Sequence, residues 1–266
     1  MMDHKAVLVT GACGGMGRAT VQTLQAQGYL VFALDRRVAP GAENVIPLEA
    51  DITDEQSLQA ALQTVRSYTD NLFAIVHFAG IYMLDSLAEM QLQDFERIFR
   101  INVTGAFLVN KTFLPLLHKG SRILMTTSEL APLDPLPFTG IYAVTKSALD
   151  KYAYSLRMEL QLLGISVSVL RAGAVDTGML GVSTDALDRF CKETQLYRCN
   201  AARFRRIVDG VEARNIAPEK LARKAMGILE KRNPAFAYHI NRNPLLLLLN
   251  LLPKRWQLFA IKTILK

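Results

Sequence analysis

The chain reads Thr10-Gly11-Ala12-Cys13-Gly14-Gly15-Met16-Gly17 directly after an apolar run over residues 5–10, and a helical pattern follows over 18–27. A glycine-rich turn between a buried strand and a helix is the arrangement that cradles dinucleotide phosphates. Gly11 allows a tight turn, and Gly15 and Gly17 leave room for a pyrophosphate at the helix N-terminus, which attracts anions. The stretch therefore predicts a dinucleotide site with contacts from Thr10, Gly11, Gly15, Met16 and Gly17; an ordinary glycine turn is the alternative.

Short apolar runs alternate with helical patterns beyond this turn. Such alternation predicts a parallel sheet covered by helices on both faces. We therefore expect an α/β fold, a Rossmann-type doubly wound parallel sheet forming a single domain over residues 1–266, with a helical C-terminal extension. The predicted strands span residues 5–10, 29–35, 45–50, 72–77, 121–127 and 165–170, and the predicted helices span 18–27, 54–68, 92–117 and 141–163.

Composition and cysteine usage indicate an intracellular globular protein. Half of the 266 residues are hydrophobic, which is enough for a sizeable core. Cys13, Cys191 and Cys199 lack paired or metal-ligand spacing, so we expect free thiols and no metal site. The four-residue apolar run near the N-terminus is too short for the core of a signal peptide. A cytoplasmic location, either free or at the cytoplasmic face of a membrane, is expected.

An acidic residue ends the second predicted strand, 18 residues beyond Gly17. The Asp35 carboxylate can accept hydrogen bonds from the adenosine ribose and would repel a 2′-phosphate, which favours NAD. Arg36 or Arg37 could instead pair with that phosphate, so NADP remains the alternative cofactor. Asp51, with Ile52, fits beside the adenine, although Asp51 is almost equally well explained as a helix N-terminal residue.

Tyr142 and Lys146 are separated by just over one helical turn. Their side chains therefore leave the same face of the predicted helix. A free phenol has a pKa of about 10, and a neighbouring cation favours the phenolate and lowers that value. The pair is thus a candidate acid/base device, and its occurrence downstream of the glycine turn strengthens that interpretation.

Further motifs carry a resemblance to a known family. Residues 4–180, about two-thirds of the chain, resemble the classical short-chain dehydrogenases/reductases in both the order and the spacing of their motifs. Besides the glycine turn, the matching stretches are Ile101-Asn102-Val103-Thr104-Gly105, Thr126-Thr127-Ser128, and Tyr142-Ala143-Val144-Thr145-Lys146.

The resemblance implies a catalytic tetrad of Asn102, Ser128, Tyr142 and Lys146. Tyr142 would exchange a proton with the alcohol or carbonyl oxygen, and Ser128 would bind that oxygen. Lys146 would lower the pKa of Tyr142 and bind the nicotinamide ribose, and Asn102 would hold a water that links Lys146 to solvent. Alternatives are Thr126 or Thr127 in place of Ser128, and a purely structural buried amide for Asn102. Further cofactor contacts implied by the family are Ala79, Gly80, Tyr142, Lys146, Gly173, Val175 and Thr177.

The chain departs from the family pattern at two positions. Phe78 stands where the family commonly has Asn before Ala79-Gly80, which removes hydrogen bonds that stabilise this loop. Ala172 stands where the family often has Pro before Gly173, so the backbone near the nicotinamide is less restrained. His77, in an apolar strand, is interpreted as a core or loop histidine.

The C-terminal third differs from the rest in charge and apolar content. Residues 1–185 carry 14 Lys or Arg and 18 Asp or Glu, whereas residues 186–266 carry 17 and 6. Residues 178–215 are expected to form a substrate lid, whose apolar side chains favour a lipophilic substrate. These side chains are Met179, Leu180, Val182, Leu187, Phe190, Leu196, Tyr197 and Phe204, and beside them lies a basic cluster of Arg198, Arg203, Arg205 and Arg206.

The tail, residues 244–266, is apolar and basic. Its five consecutive leucines, closed by Pro253, are too few to span a bilayer. The segment after Pro253 has the pattern of an amphipathic helix with Arg255, Lys262 and Lys266 on one face, which suits a membrane interface. Packing on the domain or across a dimer is the alternative. The tail is also similar to those of retinol- and 17β-hydroxysteroid-dehydrogenase-like members.

These observations predict an NAD(P)-dependent oxidoreductase for a lipophilic alcohol or carbonyl of steroid, retinoid or fatty type. The resemblance further implies a homodimer or homotetramer. A nucleotide-sugar epimerase or dehydratase also uses Tyr-x-x-x-Lys, but the spacing of the glycines argues against it. A non-catalytic NAD-binding membrane protein is disfavoured by the intact tetrad, and no nucleic-acid module accompanies the basic third.

Overall fold

The computed structural model describes residues 5–212 and 215–266, without the side chains of 178–184 and 207–212. Seven strands form one sheet in the order β3-β2-β1-β4-β5-β6-β7, and every neighbouring pair is parallel. This confirms the predicted Rossmann-type sheet. The strands are β1 (Ala6–Thr10), β2 (Leu30–Asp35), β3 (Val45–Glu49), β4 (Leu72–His77), β5 (Leu117–Ser128), β6 (Ser166–Ala172) and β7 (Ala237–Ile240).

Helices cover both faces of the sheet, because the buried strands have apolar side chains on each side. One core cluster joins Leu58, Val109 and Leu149 to one face, and another joins Leu24 and Leu221 to the opposite face. The helices are α1 (Gly15–Ala26), α2 (Glu55–Arg66), α3 (Leu92–Phe99), α4 (Gly105–Phe113), α5 (Gly140–Leu160), α6 (Gly178–Glu193), α7 (Arg198–Glu212), α8 (Pro218–Leu229), α9 (Pro244–Leu251) and α10 (Lys254–Leu265).

The strand order reverses between β1 and β4, which is where open α/β sheets bind ligands beyond their carboxyl ends. The glycine turn follows β1, and residues 78–82 follow β4, so both segments lie at this crevice. The topology therefore brings the two predicted cofactor segments together.

Two elements differ from the sequence-based prediction. The helix expected over 92–117 is divided, because a π-helical turn over Arg100–Thr104 separates α3 from α4, and β5 already begins at Leu117. Strand β7 was not predicted, since its short sequence, Ala237–Ile240, is half-buried and lacks a clear apolar run. It pairs with β6 and fixes the start of the C-terminal extension.

The C-terminal extension consists of α9 and α10, joined at Pro253. No helix within residues 5–212 and 215–266 is both long and apolar enough to cross a membrane. The Lys254 ammonium pairs with Asp134, and Asn200 donates to the Leu265 carbonyl at 2.7 Å, so α10 is fastened to the domain at both ends.

Candidate active site

The glycine turn has little room for any side chain. Gly11 has a φ of +66°, and a Cβ there would lie 2.6 Å from the Ala79 amide nitrogen. A Cβ on Gly15 would lie 2.7 Å from the Thr177 side chain, and one on Gly17 would overlap the Gly11 carbonyl. Because helix α1 begins at Gly15, its free amides face the crevice. This cradle fits the diphosphate of a dinucleotide.

A cleft of about 360 Å³ extends from this turn across the carboxyl ends of β1, β2 and β4. Its lining includes eleven of the predicted cofactor residues: Gly11, Gly15, Met16, Gly17, Asp35, Arg36, Asp51, Ile52, Ala79, Gly80 and Thr177. Residues outside the predicted set of cofactor contacts also line it, among them Gly14, Thr53, Phe78, Ile81, Tyr82 and Ile101.

Five other predicted cofactor residues lie outside the lining: Tyr142 and Lys146, which are described below, and Thr10, Gly173 and Val175. Thr10 is fully buried, and its hydroxyl accepts a hydrogen bond from the Ala79 amide at 3.3 Å. Gly173 donates its amide to the Ile240 carbonyl, and a Cβ there would overlap the Asn241 carbonyl. Val175 is buried beside Ile216. These residues support the walls of the cleft, and direct contacts from them to the cofactor remain predictions.

The adenosine end of the cleft carries two carboxylates. Asp35 accepts hydrogen bonds from the amides of Cys13 and Arg36, at 3.0 and 2.7 Å, so it ties β2 to the glycine turn. Asp51 accepts the amide and hydroxyl of Thr53. Burial raises the pKa of Asp51, but the bonds from Thr53 and the charges of Arg36 and Arg100 outweigh burial and lower it overall. The charged form of Asp51 is therefore favoured, and Asp35 lines the same end of the cleft.

Tyr142, Ser128 and Lys146 lie together behind this cleft, next to its lining residues Gly80 and Tyr82. Burial raises the pKa of Tyr142 above its usual value of 10.0, and a hydrogen bond with the Ser128 side chain lowers it. The Lys146 ammonium lies 5.7 Å from the centre of the Tyr142 ring and donates to the Thr126 carbonyl at 3.2 Å. Burial lowers the pKa of Lys146 to about 8. The arrangement can move a proton at the Tyr142 hydroxyl, which is the chemistry predicted for it.

Asn102 lies in the π-helical turn and is almost completely buried. Its Oδ1 accepts from the Ile81 amide at 2.8 Å, and its Nδ2 donates to the Ile81 carbonyl and to the Thr145 hydroxyl at 3.0 and 3.1 Å. A Cβ on Gly80 would lie 3.2 Å from Asn102 Oδ1 and 3.5 Å from Lys146 Nζ, so all three groups are neighbours. The Asn102 side chain thus makes the bonds expected of a structural buried amide. Its role in holding a water beside Lys146 stays a prediction.

The two departures from the family pattern have local replacements. Phe78 packs in the core below the cleft, and its amide donates to the Thr10 carbonyl at 3.1 Å. The loop after β4 is therefore held by Thr10 on one side and by Asn102 on the other. At the second departure, β7 restrains the backbone that follows Ala172 through the bond between Gly173 and Ile240. His77 is buried against Asn110, and burial lowers its pKa to about 4, which agrees with a neutral core histidine.

The predicted lid comprises α6, α7 and the segment between them. Among its described side chains, Leu187, Phe190 and Phe204 are buried together with Phe138, whereas Leu196 is exposed. Phe138 has a φ of +64°, which is uncommon for a bulky residue, and its ring is 4.5 Å from that of Phe190. The predicted lid residues Met179, Leu180 and Val182 lie outside the described side chains. Of the basic cluster, Arg205 pairs with Asp188 and Arg198 bonds to Gln195, which is typical of a partly solvated helix face.

Tyr82 is a site residue without a sequence motif. Its ring centre lies 4.9 Å from that of Tyr142, and it packs against the lid cluster of Leu84 and Phe138. It lies five residues after β4, at a position where only the tertiary fold shows what it faces. Tyr82 therefore forms a wall between the predicted proton donor and the lid.

Replacing Tyr82 by Phe is expected to shift the pH dependence of alcohol oxidation. Burial is the main cause of the raised pKa of Tyr142, and charge repulsion from the Tyr82 hydroxyl is the second. Loss of that hydroxyl should therefore lower the pKa of Tyr142. Since oxidation needs the deprotonated phenol, the rising limb of kcat/KM against pH moves to lower pH. Tyr197→Phe, a matched change in the lid, should leave the profile in place. A Tyr82→Phe profile that coincides with the unaltered enzyme would contradict the assignment.

Comparisons with known proteins agree with this geometry. Residues 5–188 match the family model for short chain dehydrogenases. Estradiol 17-beta-dehydrogenase 2 of Mus musculus is 32% identical over 214 residues, which cover 73% of this chain and 56% of that protein. The chain thus spans just over half the length of this relative. The 3-ketodihydrosphingosine reductase of Bacteroides thetaiotaomicron is 24% identical over 256 residues, covering 96% of this chain and 94% of that protein.

Solved structures share the fold. The 3-ketoacyl-(acyl-carrier-protein) reductase of Brucella melitensis, complexed with NADH, superposes with a TM-score of 0.72 at 20% identity. The match covers 89% of this chain and 96% of that structure. At this identity the likeness supports the seven-stranded architecture alone.

Proposed function

Since the chain belongs to the short-chain dehydrogenase family, we propose that it interconverts a lipophilic alcohol and its carbonyl with a nicotinamide cofactor. The observation that carries this proposal is the convergence of Ser128, Tyr142 and Lys146 beside a cleft with a glycine cradle. When bound, NAD(P)(H) accepts or supplies the hydride. The test is cofactor oxidation or reduction with a panel of steroid, retinoid and long-chain alcohols and carbonyls; turnover of none of them would contradict it.

Each catalytic side chain has a distinct task in this proposal. Tyr142 exchanges a proton with the substrate oxygen, while Ser128 donates a hydrogen bond that holds this oxygen in place. Lys146 stabilises the phenolate of Tyr142 by its charge. Asn102 fixes Ile81, and thereby the loop that forms the wall of the nicotinamide half of the cleft.

We propose NAD(H) as the preferred cofactor. The Asp35 carboxylate lines the cleft at the tip of β2, where it would bond to ribose hydroxyls and repel a 2′-phosphate. Arg36 also lines the cleft, but its charge is shared with Asp51. The balance of these charges favours the unphosphorylated ribose.

Asp35→Asn is expected to raise the affinity for NADPH relative to NADH by about tenfold, roughly 1.4 kcal/mol. The amide keeps an acceptor for the Cys13 amide while removing the negative charge. The measurement is the ratio of the two dissociation constants by fluorescence titration. Asp54→Asn, which makes the same change at the N-cap of α2 outside the cleft lining, is the control. Equal ratios in both variants would rule out Asp35 as the selecting group.

A lipophilic substrate is supported by the lid. The buried aromatic cluster of Phe138, Phe190 and Phe204 makes this region apolar, and Tyr82 packs against the cluster and against the Tyr142 ring. The relatives named for estradiol and 3-ketodihydrosphingosine point to the same class. We propose a substrate with a polar alcohol or carbonyl at Tyr142 and an apolar body against the lid.

We further propose that the tail contacts a membrane. Of the twenty large apolar residues that are exposed among the described side chains, eight fall in residues 244–266. Leu245, Leu248 and Leu251 share one face of α9, and residues 231–266 contain seven Lys or Arg and no Asp or Glu. An apolar surface with a basic surround suits an anionic bilayer. The other exposed members are Leu252, Trp256, Leu258, Phe259 and Ile264.

Leu248→Ser/Leu251→Ser is expected to lower partitioning onto anionic vesicles about tenfold, because two exposed leucines no longer enter the apolar layer. The measurement is flotation with vesicles of phosphatidylcholine and phosphatidylglycerol. Leu162→Ser/Leu163→Ser removes two leucines that are equally exposed beyond α5 and serves as the control. If the α9 variant and the Leu162/Leu163 control floated with the vesicles to the same extent, α9 would be excluded as the membrane contact.

A homodimer is proposed on a different face. Phe95 on α3, Phe107 on α4, and Val144, Tyr154 and Met158 on α5 are exposed apolar residues away from the tail. Exposed apolar residues on neighbouring helices are a feature that protein contacts use. The homotetramer expected from the family is the alternative, and sedimentation distinguishes the two.

A further inference from the structure

A second cavity, of about 530 Å³, lies under helix α10. One wall is α10 itself, and the other is formed by the loop at residues 86–88 and the segment 135–138 before α5. It shares no lining residue with the cofactor cleft, so the cofactor does not account for it. The α10 wall consists of Leu258, Ile261, Lys262, Leu265 and Lys266.

The inner surface of this cavity is mostly apolar. Pro135, Leu136, Pro137 and Leu87 contribute apolar surface. The polar atoms of two lining residues are turned to the backbone: Ser86 Oγ accepts the Ala88 amide, and Asn200 Nδ2 donates to the Leu265 carbonyl. A ligand here would therefore gain mainly from burying an apolar chain.

The rim of the cavity is cationic. Lys262 and Lys266 line it one helical turn apart, and no acidic side chain is among its described lining residues. Two ammonium groups on one rim repel each other, and a bound anion between them would offset that repulsion. The chemistry that fits is an amphiphile with an acyl chain and a negative head group.

The position of the cavity favours a lipid from a bilayer. Leu258 lines it and is 70% exposed, so the cavity is continuous with the apolar face of the tail. On the inner side its wall includes Phe138, whose ring contacts Phe190, Tyr197 and Phe204 of the lid. An occupant would thus lie between the membrane face and the lid.

We infer that this cavity binds one acyl chain of an anionic phospholipid, with the head group at Lys262 and Lys266. The inference extends the proposed membrane contact of the tail. It is independent of hydride transfer, because the cavity contains neither Tyr142 nor any residue of the cofactor cleft.

The test is calorimetric titration of the full chain, without cofactor or substrate, with monomeric dihexanoylphosphatidylglycerol. Dihexanoylphosphatidylcholine has the same chains and no net charge, and hexanoate separates a free fatty acid from a lipid. We expect the glycerol lipid to bind more tightly than the other two probes. Lys262→Glu should weaken its binding by about fivefold, close to the 1 kcal/mol of an exposed ion pair.

Arg255→Glu is the matched control, since it reverses the same charge on the same helix outside the cavity lining. Equal weakening by both variants would reduce the effect to general surface charge and overturn the site. Equal binding of the three probes, or binding of none, would also overturn it. Lipid titration tests the cavity, and vesicle flotation of the α9 variants tests the membrane contact. Failure of one proposal therefore gives a result different from failure of the other.

Discussion

Tyr142→Phe is expected to lower kcat by about 10²- to 10⁴-fold, the usual contribution of a positioned acid or base. The change removes only the hydroxyl that bonds to Ser128 and leaves the ring against Tyr82. Because the glycine turn and the adenosine end of the cleft are unaltered, the affinity for NADH should change little. Stopped-flow hydride transfer and a fluorescence titration of NADH measure the two effects separately.

Tyr152→Phe is the control for this variant. Tyr152 lies on the same helix, ten residues later, and its hydroxyl accepts a bond from Asn110 instead of facing the cleft. Its variant should retain activity within a few-fold. If Tyr142→Phe kept activity within tenfold of the unaltered enzyme, Tyr142 would not be the proton carrier, and the proposed mechanism would fail.

The parts of this site that the sequence predicted are those encoded by local spacing. The glycine turn has its meaning within eight residues, and Tyr142 and Lys146 are held on one face by helical periodicity alone. Asp35 was placed by its position at the end of a strand. For the glycine turn and the Tyr142–Lys146 pair, neighbours in sequence are also neighbours in space, so the motif and the geometry coincide. Asp35 is predictable for another reason, because the carboxyl ends of neighbouring parallel strands border the same crevice.

The remaining parts depend on contacts between distant segments. Asn102 bonds to Ile81 only because a π-helical turn brings it towards the loop after β4. Tyr82 gains its place against Tyr142 from the packing of that loop, and β7 becomes a strand because β6 offers it an open edge. The sequence pattern predicted one helix across α3 and α4, because the apolar period continues through the turn that separates them.

One such distant contact holds helix α5 to the sheet. Arg171 on β6 donates two hydrogen bonds to the Asp150 carboxylate on α5, at 2.9 and 2.7 Å, and Thr127 donates a third at 3.3 Å. Both charged groups are largely buried. Since Thr127 precedes Ser128 and α5 carries Tyr142, this network fixes the relative position of the two groups that would bind the substrate oxygen.

Asp150→Asn is therefore expected to destabilise the protein by about 3–5 kcal/mol, because the buried guanidinium of Arg171 loses its counter-charge. Urea denaturation measures the loss. Asp150→Asn/Arg171→Gln, which removes both charges, should be less destabilised than the single variant, since no uncompensated charge remains. Asp188→Asn breaks the partly exposed pair with Arg205 and should cost less than about 1 kcal/mol.

The order of these three stabilities decides the interpretation. If Asp150→Asn were no less stable than Asp188→Asn, the Asp150–Arg171 pair would be an ordinary surface contact despite its burial. If instead the double variant were as unstable as the single one, the lost hydrogen bonds and not the unpaired charge would dominate. Only a single variant that is clearly the least stable of the three agrees with a buried ion pair that anchors α5. The folded fraction of Asp150→Asn should then also have a lower kcat, because Tyr142 and Ser128 are no longer held in a fixed relative position.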